Sequence, residues 1–314
     1  MNHVNSRLAL TLALVVMGAG WGLVTPLIKI AVSSGFGHFG LLFWQMAIGA
    51  GLTGAFLFLR RVAGRGGWGK LTRARLPIVL AVALLGAVIP NSASYQAAFH
   101  LPAGIMSIII ATVPMFAFPI ALALGTDQFS PRRLAGLLLG LAGVALIALP
   151  EASLPERAMI AFVPLALVSP FCYGVEGNVV AKWGTAGLAP VQVLFWACVT
   201  GIFIALPLAL ATGQFISPPA MMSREGLAFA ASAALHVCVY SAYIWLLGRA
   251  GAVFAGQVAY LVTGFGVIWA MLLLGEVYSI WVWAALLVMF AGLTLVRPRD
   301  QSPLAPPAVA GETA

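Results

Sequence analysis

The sequence predicts an all-α integral membrane protein, with ten transmembrane helices arranged as two inverted five-helix repeats around a central cavity. Three observations carry that expectation: an apolar composition, a one-sided distribution of Lys and Arg, and an internal repeat. Of 314 residues, 62% are apolar and 8% charged, against about 25% charged in an average soluble domain. A water-soluble globule is therefore excluded. Ten spans of about 20 residues occupy roughly two thirds of the chain and leave no room for a large extramembrane domain. In so apolar a chain the formal charge of +8 reads as loop charge and not as a nucleic-acid footprint. The lipid bilayer is the expected partner and nucleic acid is not.

Apolar runs lie near 7–30, 39–59, 75–98, 101–124, 131–149, 158–180, 189–211, 225–247, 251–274 and 277–296. Backbone polar groups in lipid must be satisfied internally, and runs of this length exclude the short alternating strands of a barrel, so each run is expected to be a helix. The first run, after Arg7, is longer than a signal-peptide core and is read as a retained span. With the N-terminus inside, the inner segments hold 13 of the 16 cations: Arg7; Arg60, Arg61, Arg65, Lys70, Arg73 and Arg75; Arg132 and Arg133; Lys182; Arg249; Arg297 and Arg299. The outer side holds only Lys29, Arg157 and Arg224. Cytoplasmic loops carry the positive excess, and a missed span would scramble this alternation. Both termini are expected on the cytoplasmic side of the inner (plasma) membrane, with 300–314 a disordered cytoplasmic tail rich in Pro and Ala.

The segment Leu141-Ala-Gly-Val-Ala-Leu-Ile147 matches Phe290-Ala-Gly-Leu-Thr-Leu-Val296, and the same register pairs Asp127 with Glu276 and Ser130 with Ser279. Leu42-Phe-Trp44 likewise answers Leu194-Phe-Trp196, and Trp21-Gly22 answers Tyr173-Gly174. The halves are 1–149 and 150–299. Five spans is an odd number, so the second copy is expected upside down relative to the first. Inverted repeats place a substrate site near the bilayer midplane between the copies.

The motifs resemble one known family. Trp21-Gly22 with Lys29 eight residues beyond Trp21, the Pro114 to Asp127 stretch, and Leu272-Leu-Leu-Gly-Glu276 followed by a last helix with Ala291-Gly292 resemble the ten-helix EamA-type branch of the drug/metabolite transporter superfamily. The aromatic interior stripes look most like the aromatic amino-acid exporters of the YddG type. Two departures stand out. Asp127 ends the fourth span where the family often has Glu, and Gln45 replaces an arginine common early in span 2, which puts in question any mechanism that uses that arginine.

Polar residues three or four apart share a helix face turned away from lipid. Span 8 places Ser232, His236, Tyr240 and Tyr243 on one stripe, and its repeat equivalent, span 3, places Asn91, Ser94 and Tyr95 together. Span 1 offers Gly18, Trp21, Gly22 and Thr25, its counterpart span 6 offers Ser169, Tyr173, Glu176 and Gly177, and span 9 adds Gln257 and Tyr260. The expected substrate-binding residues are Trp21, Asn91, Tyr95, Tyr173, His236, Tyr240, Tyr243, Gln257 and Tyr260, in a neutral aromatic cavity lined by spans 1, 3, 6 and 8 with parts of 4 and 9. Glu176 and His236 are the candidates for proton coupling, with snorkelling of Glu176 to the interface and a helix-packing role for His236 as the alternatives. Pro26, Pro90, Pro114 and Pro170 are candidate break points, and a free helix N-terminus could meet a substrate carboxylate. Spans 5 and 10 are nearly devoid of polar side chains. Gly136-x-x-x-Gly140 with Gly143 reads as a packing scaffold or dimer surface, so the chain is expected as a monomer or homodimer. Lys29 and Glu276 fall at outer span ends, where they could pair.

The expected function is export of small amphipathic metabolites, aromatic amino acids foremost, by alternating access. The alternative is a multidrug or other metabolite exporter driven by proton exchange. An intramembrane enzyme is the rival class and finds little support. The two aspartates, Asp127 and Asp300, are not mid-span, and His3, His38, His100 and His236 are scattered with no H-E-x-x-H motif. Cys172, Cys198 and Cys238 lie in apolar runs without a partner at metal-ligand spacing. No metal and no cofactor is expected.

Overall fold

Long apolar runs in which Pro and Gly are the only punctuation have one way to satisfy their backbone in lipid, and all regular structure among the described residues is helical. The computed structural model describes residues 2–148, 154–255 and 258–295. Helices α1 (Asn2–Ser33) and α2 (His38–Val62) are followed by α3 (Leu76–Ala83), a π-helical turn (Leu84–Val88) and α4 (Ile89–His100), which together form the third predicted span. Helices α5 (Ala103–Ile110) and α6 (Val113–Ala123) form the fourth and α7 (Pro131–Ala148) the fifth. A 3-10 turn (Arg157–Phe162) leads into α8 (Val163–Trp183), then α9 (Pro190–Ala211), a short α10 (Pro218–Met221), α11 (Arg224–Ala255), α12 (Val258–Leu274) and α13 (Ile280–Leu295).

Taking α3 with α4 and α5 with α6, eight segments are long and apolar enough to cross a membrane, while α12 and α13 are shorter apolar helices of 17 and 16 residues. At 1.5 Å per residue these two span about 25 Å. The loop expected between 247 and 251 is helical instead, because α11 continues to Ala255. An isolated Gly costs a helix only about 1 kcal/mol relative to Ala, and without a Pro the ladder runs on. Gln257 lies outside the described residues, as does the 300–314 tail. Of the four prolines, Pro26 and Pro170 sit inside unbroken helices, Pro90 follows the π-helical turn and Pro114 opens α6 after a break at Ala111–Thr112.

The helices pair largely across the two predicted halves. Packing of α1 against α11 is answered by α8 against α4, that of α1 against α12 by α8 against α6 and α5, and that of α3 against α9 by α11 against α2; α2 with α9, α5 with α12 and α7 with α13 pair equivalent spans directly. Gly136 and Gly143 of α7 are taken up in the last of these pairs, while Gly140 packs against Met115 of α6. A Cβ on Gly143 would lie 2.5 Å from Met289, and one on Gly292 would lie 2.9 Å from the Gly136 carbonyl. The small-residue face of span 5 is thus filled by α13 and Met115 of the same chain.

Lys29 and Glu276 form no ion pair. They cap opposite sides of one helix break. The Lys29 ammonium donates to the carbonyls of Ala98 (2.7 Å), Phe99 (3.2 Å) and Leu101 (3.0 Å) at the end of α4. The Glu276 carboxylate accepts the amides of Ala103 (2.7 Å) and Gly104 (3.1 Å) at the start of α5, and the Tyr278 hydroxyl donates to the same carboxylate. Burial, and then the hydrogen-bonded Glu276 carboxylate, push the Tyr278 phenol above its ordinary value, so it remains a donor at neutral pH. The signs match the helix macrodipole at both ends. Lys29→Met strips three carbonyls of a charged donor and is expected to cost about 1 to 3 kcal/mol, read as a lower unfolding midpoint in detergent. An unchanged midpoint would show that the staple carries no stability.

Candidate functional site

The α1 stripe predicted from Trp21 meets the α11 stripe face to face. The Trp21 indole N–H donates to His236 Nδ1 at 3.0 Å, and the Trp21 ring lies 5.7 Å from His236, 6.4 Å from Tyr240 and 5.8 Å from Tyr243. An indole nitrogen only donates, so Nδ1 is the unprotonated nitrogen and the imidazole carries its proton on Nε2. His236 and Tyr240, four residues apart on α11, lie nearly parallel at 6.5 Å.

His236 reaches the wall of a cavity of about 60 Å³ lined also by Gln45 and Gly49 of α2, Gly86 of the π-helical turn, Asn91 of α4 and Cys198 of α9. A space of that size holds a few waters. Two further cross-helix pairs fix its rim. Tyr173 of α8 donates to Asn91 Oδ1 at 3.0 Å, and Tyr95 of α4 donates to Gln45 Oε1, its buried ring standing 5.6 Å from Phe229. The π-helical turn has a local cause. Residue 90 is proline, so the amide that would bond to the Gly86 carbonyl in an α-helix does not exist; the ladder widens and Ile89 donates to Leu84 instead. The Pro90 carbonyl in turn accepts the Ser169 hydroxyl at 2.6 Å. Glu176 packs against this turn, its carboxyl carbon 3.3 Å from where a Cβ on Gly86 would lie. The site is neutral on its walls, rich in amide and imidazole groups, and backed by aromatic rings. Among the described residues no three His, Cys, Asp or Glu side chains come together as a metal site would require.

The EamA-like transporter family model matches residues 8–149 and again residues 161–297, once on each half. The chain belongs to the EamA-like transporter family. It is thus a multi-pass membrane protein of the drug/metabolite transporter superfamily. Among curated protein sequences none matches it. A solved crystal structure is similar with a TM-score of 0.53 at 15% identity, over 88% of this chain and 94% of that chain, a likeness of fold alone.

In this EamA-like transporter the residues expected from sequence divide into three groups. Trp21, His236, Tyr240 and Tyr243 come together, and Asn91, Tyr95 and Tyr173 join the adjoining hydrogen-bonded rim. Tyr260 stands apart, 5.7 Å from Phe290 in a cluster with Ala111, Met115 and Leu293. Gln257 lies outside the described residues. The cavity wall also differs from expectation, because it is built from spans 2, 3, 7 and 8, with spans 1 and 6 one layer behind. The α6 N-terminus at Pro114, one of the four candidate break points, is turned into the Ala111 and Met115 cluster, and Thr112 is buried. Gln45, Gly49, Gly86 and Cys198 were missed. Gln45 carried a signal, a lone amide inside an apolar span; the small residues carried none.

Close approach of α1 to α12 sets where Trp21 points. A Cβ on Gly22 would lie 2.8 Å from the Gly266 amide nitrogen and 2.9 Å from the Val262 carbonyl, both backbone atoms that only helix separation can move. Gly22→Ala is expected to cost about 1 to 3 kcal/mol and lower the unfolding midpoint. Gly51→Ala, whose Cβ meets nothing within 4 Å, should hold it or raise it, because Ala is the better helix former. Equal midpoints for the two variants would overturn the contact.

Proposed function

We propose that this EamA-like transporter exports small amphipathic metabolites, aromatic amino acids foremost, by alternating access across the inner (plasma) membrane. The observation that carries this reading is the uncharged, ring-backed cavity whose walls come from repeat-equivalent helices, α2 with α9 and the third span with α11. On this reading α12 and α13 are the ninth and tenth spans, the membrane adapting to their shorter length. The two five-helix copies are inverted and both termini face the cytoplasm. The symmetric exchange of contacts between the halves supports a two-fold relation. A zwitterion is suited to the wall chemistry: its carboxylate can accept from the His236 Nε2–H and the amide groups of Gln45 and Asn91, and its ammonium can donate to their carbonyls and to that of Gly86. Phenylalanine does not fit a cavity of about 60 Å³, so loading requires the halves to part. Polyanions do not suit a site without Lys or Arg.

Saturable uptake and counterflow of phenylalanine in liposomes tests the reading. Trp21→Ala, Tyr95→Ala and Tyr240→Ala are expected to abolish flux in folded protein. Unchanged flux in all three would place the substrate elsewhere, exchange restricted to cationic drugs would favour the multidrug alternative, and turnover of a lipid or peptide would favour an enzyme.

Proton exchange through Glu176 is a second reading, favoured by the position of that carboxylate. Its carboxyl group rests against the π-helical turn and pairs with no Lys or Arg among the described residues. A charge at the centre of a membrane helix costs about 2.5 to 3.5 kcal/mol on insertion scales, and carrying a proton removes that cost. Glu176→Gln should then abolish stimulation of transport by a pH gradient while sparing counterflow. Stimulation that survives the substitution would assign Glu176 to packing.

A further inference from the structure

The two ends of the bundle differ in charge. Segments 60–75, 124–133 and 182–189 hold nine Lys and Arg and one carboxylate, Asp127, which is already paired with Arg133. Hydrogen bonds join these segments at one end: Arg75 donates to the Ala186 carbonyl at 3.2 Å and Lys182 to the Leu124 carbonyl at 2.8 Å. At the opposite end, segments 29–39, 98–104, 154–162, 212–226 and 275–279 hold three cations and three carboxylates.

Topogenic bias accounts for the sign of the basic end but not for its architecture. The segment 63–75 is clamped by neutral groups. Trp196 donates its indole N–H to the carbonyls of Trp68 (3.2 Å) and Gly69 (3.1 Å), Gln192 donates to the Gly67 carbonyl, and the Trp68 ring packs 4.9 Å from Phe195. Arg75 ties the loop to itself through the Lys70 carbonyl at 2.7 Å. Arg61, Arg65, Lys70 and Arg73 are left exposed, and none of the six cations of 60–75 is in an ion pair among the described residues. A loop ordered in this way has already met much of the entropic cost of binding.

We propose that this ordered basic loop is a docking surface for the phosphate headgroups of anionic phospholipids in the adjacent leaflet. Its position favours lipid over a soluble polyanion. The cations sit at the edge of an exposed apolar belt, with Phe58, Leu59 and Val62 of α2 54%, 65% and 72% exposed. The Arg60 guanidinium lies 6.0 Å over the Phe56 ring, and the Lys182 ammonium lies 5.2 Å over the exposed Trp183 ring. Cations whose stems lie along apolar surface and whose heads reach its rim are placed at headgroup level. The proposal depends on the membrane location and not on the transport reading.

The test is titration of the purified, delipidated full chain with phosphatidylglycerol or phosphatidylcholine, counting bound lipids by native mass spectrometry. Phosphatidylglycerol is expected to be retained at least about a hundredfold more tightly, with a preference that falls as salt rises. Each cation near an anionic surface contributes about fivefold. The combined Arg61→Gln, Arg65→Gln and Arg73→Gln substitution should therefore weaken phosphatidylglycerol by on the order of a hundredfold and leave phosphatidylcholine unchanged. Arg157→Gln with Arg224→Gln, at the opposite end, should change neither. Equal retention of the two lipids, a preference indifferent to salt, or one that survives the triple substitution would overturn the proposal. So would binding of glycerol phosphate or of a short RNA as tight as that of the lipid. If the triple variant fails to fold, the salt dependence of the unsubstituted chain decides the matter.

Discussion

A backbone in lipid has no water to turn to, and that constraint organises this molecule. Regular helix satisfies it almost everywhere, so the informative places are those where the helix stops or loosens. Between α4 and α5, where two residues leave the ladder, an ammonium covers the carbonyl end and a carboxylate covers the amide end. Around Pro90, which lacks an amide hydrogen, the chain widens to a π-helical turn and a serine from α8 serves the proline's carbonyl. At these two breaks the partners come from distant parts of the chain, so satisfying the backbone locally also ties the bundle together.

The same economy shapes the cavity. The polar side chains that face inward are matched to one another across the bundle: Trp21 with His236, Tyr173 with Asn91, Tyr95 with Gln45. All three pairs are neutral. Hydrogen bonds between membrane helices average only about 0.6 kcal/mol, enough to define an arrangement and weak enough for it to be exchanged for another.

Much of this was legible in the chain itself. Aromatic and amide residues at helical spacing marked the inward faces of α1, α4, α8 and α11, and seven of the nine residues singled out for binding come together around the cavity or its backing rings. Tyr260 lies apart from them; a tyrosine with its ring against Phe290 has the same spacing signature as one in a pocket. Gln45 was noticed as an oddity and not as a wall. Gly49, Gly86 and Cys198 were invisible, because a small residue marks a cavity only by what its neighbours fail to fill. The helical run through Ala255 was missed because glycine weakens a helix without ending it.

What the sequence by itself determined is the all-helical membrane class, the two-copy family pattern and the polar stripes, since each follows from hydropathy, periodicity or local similarity along the chain. Tertiary structure alone decided that Lys29 and Glu276 serve one helix break and not each other, that spans 2 and 7 wall the cavity, and that the glycines of α7 are covered by α13 and Met115. The physical reason is that these outcomes depend on which distant backbones approach to within a few ångströms. That proximity is a property of the packed bundle, and no spacing within a single helix encodes it.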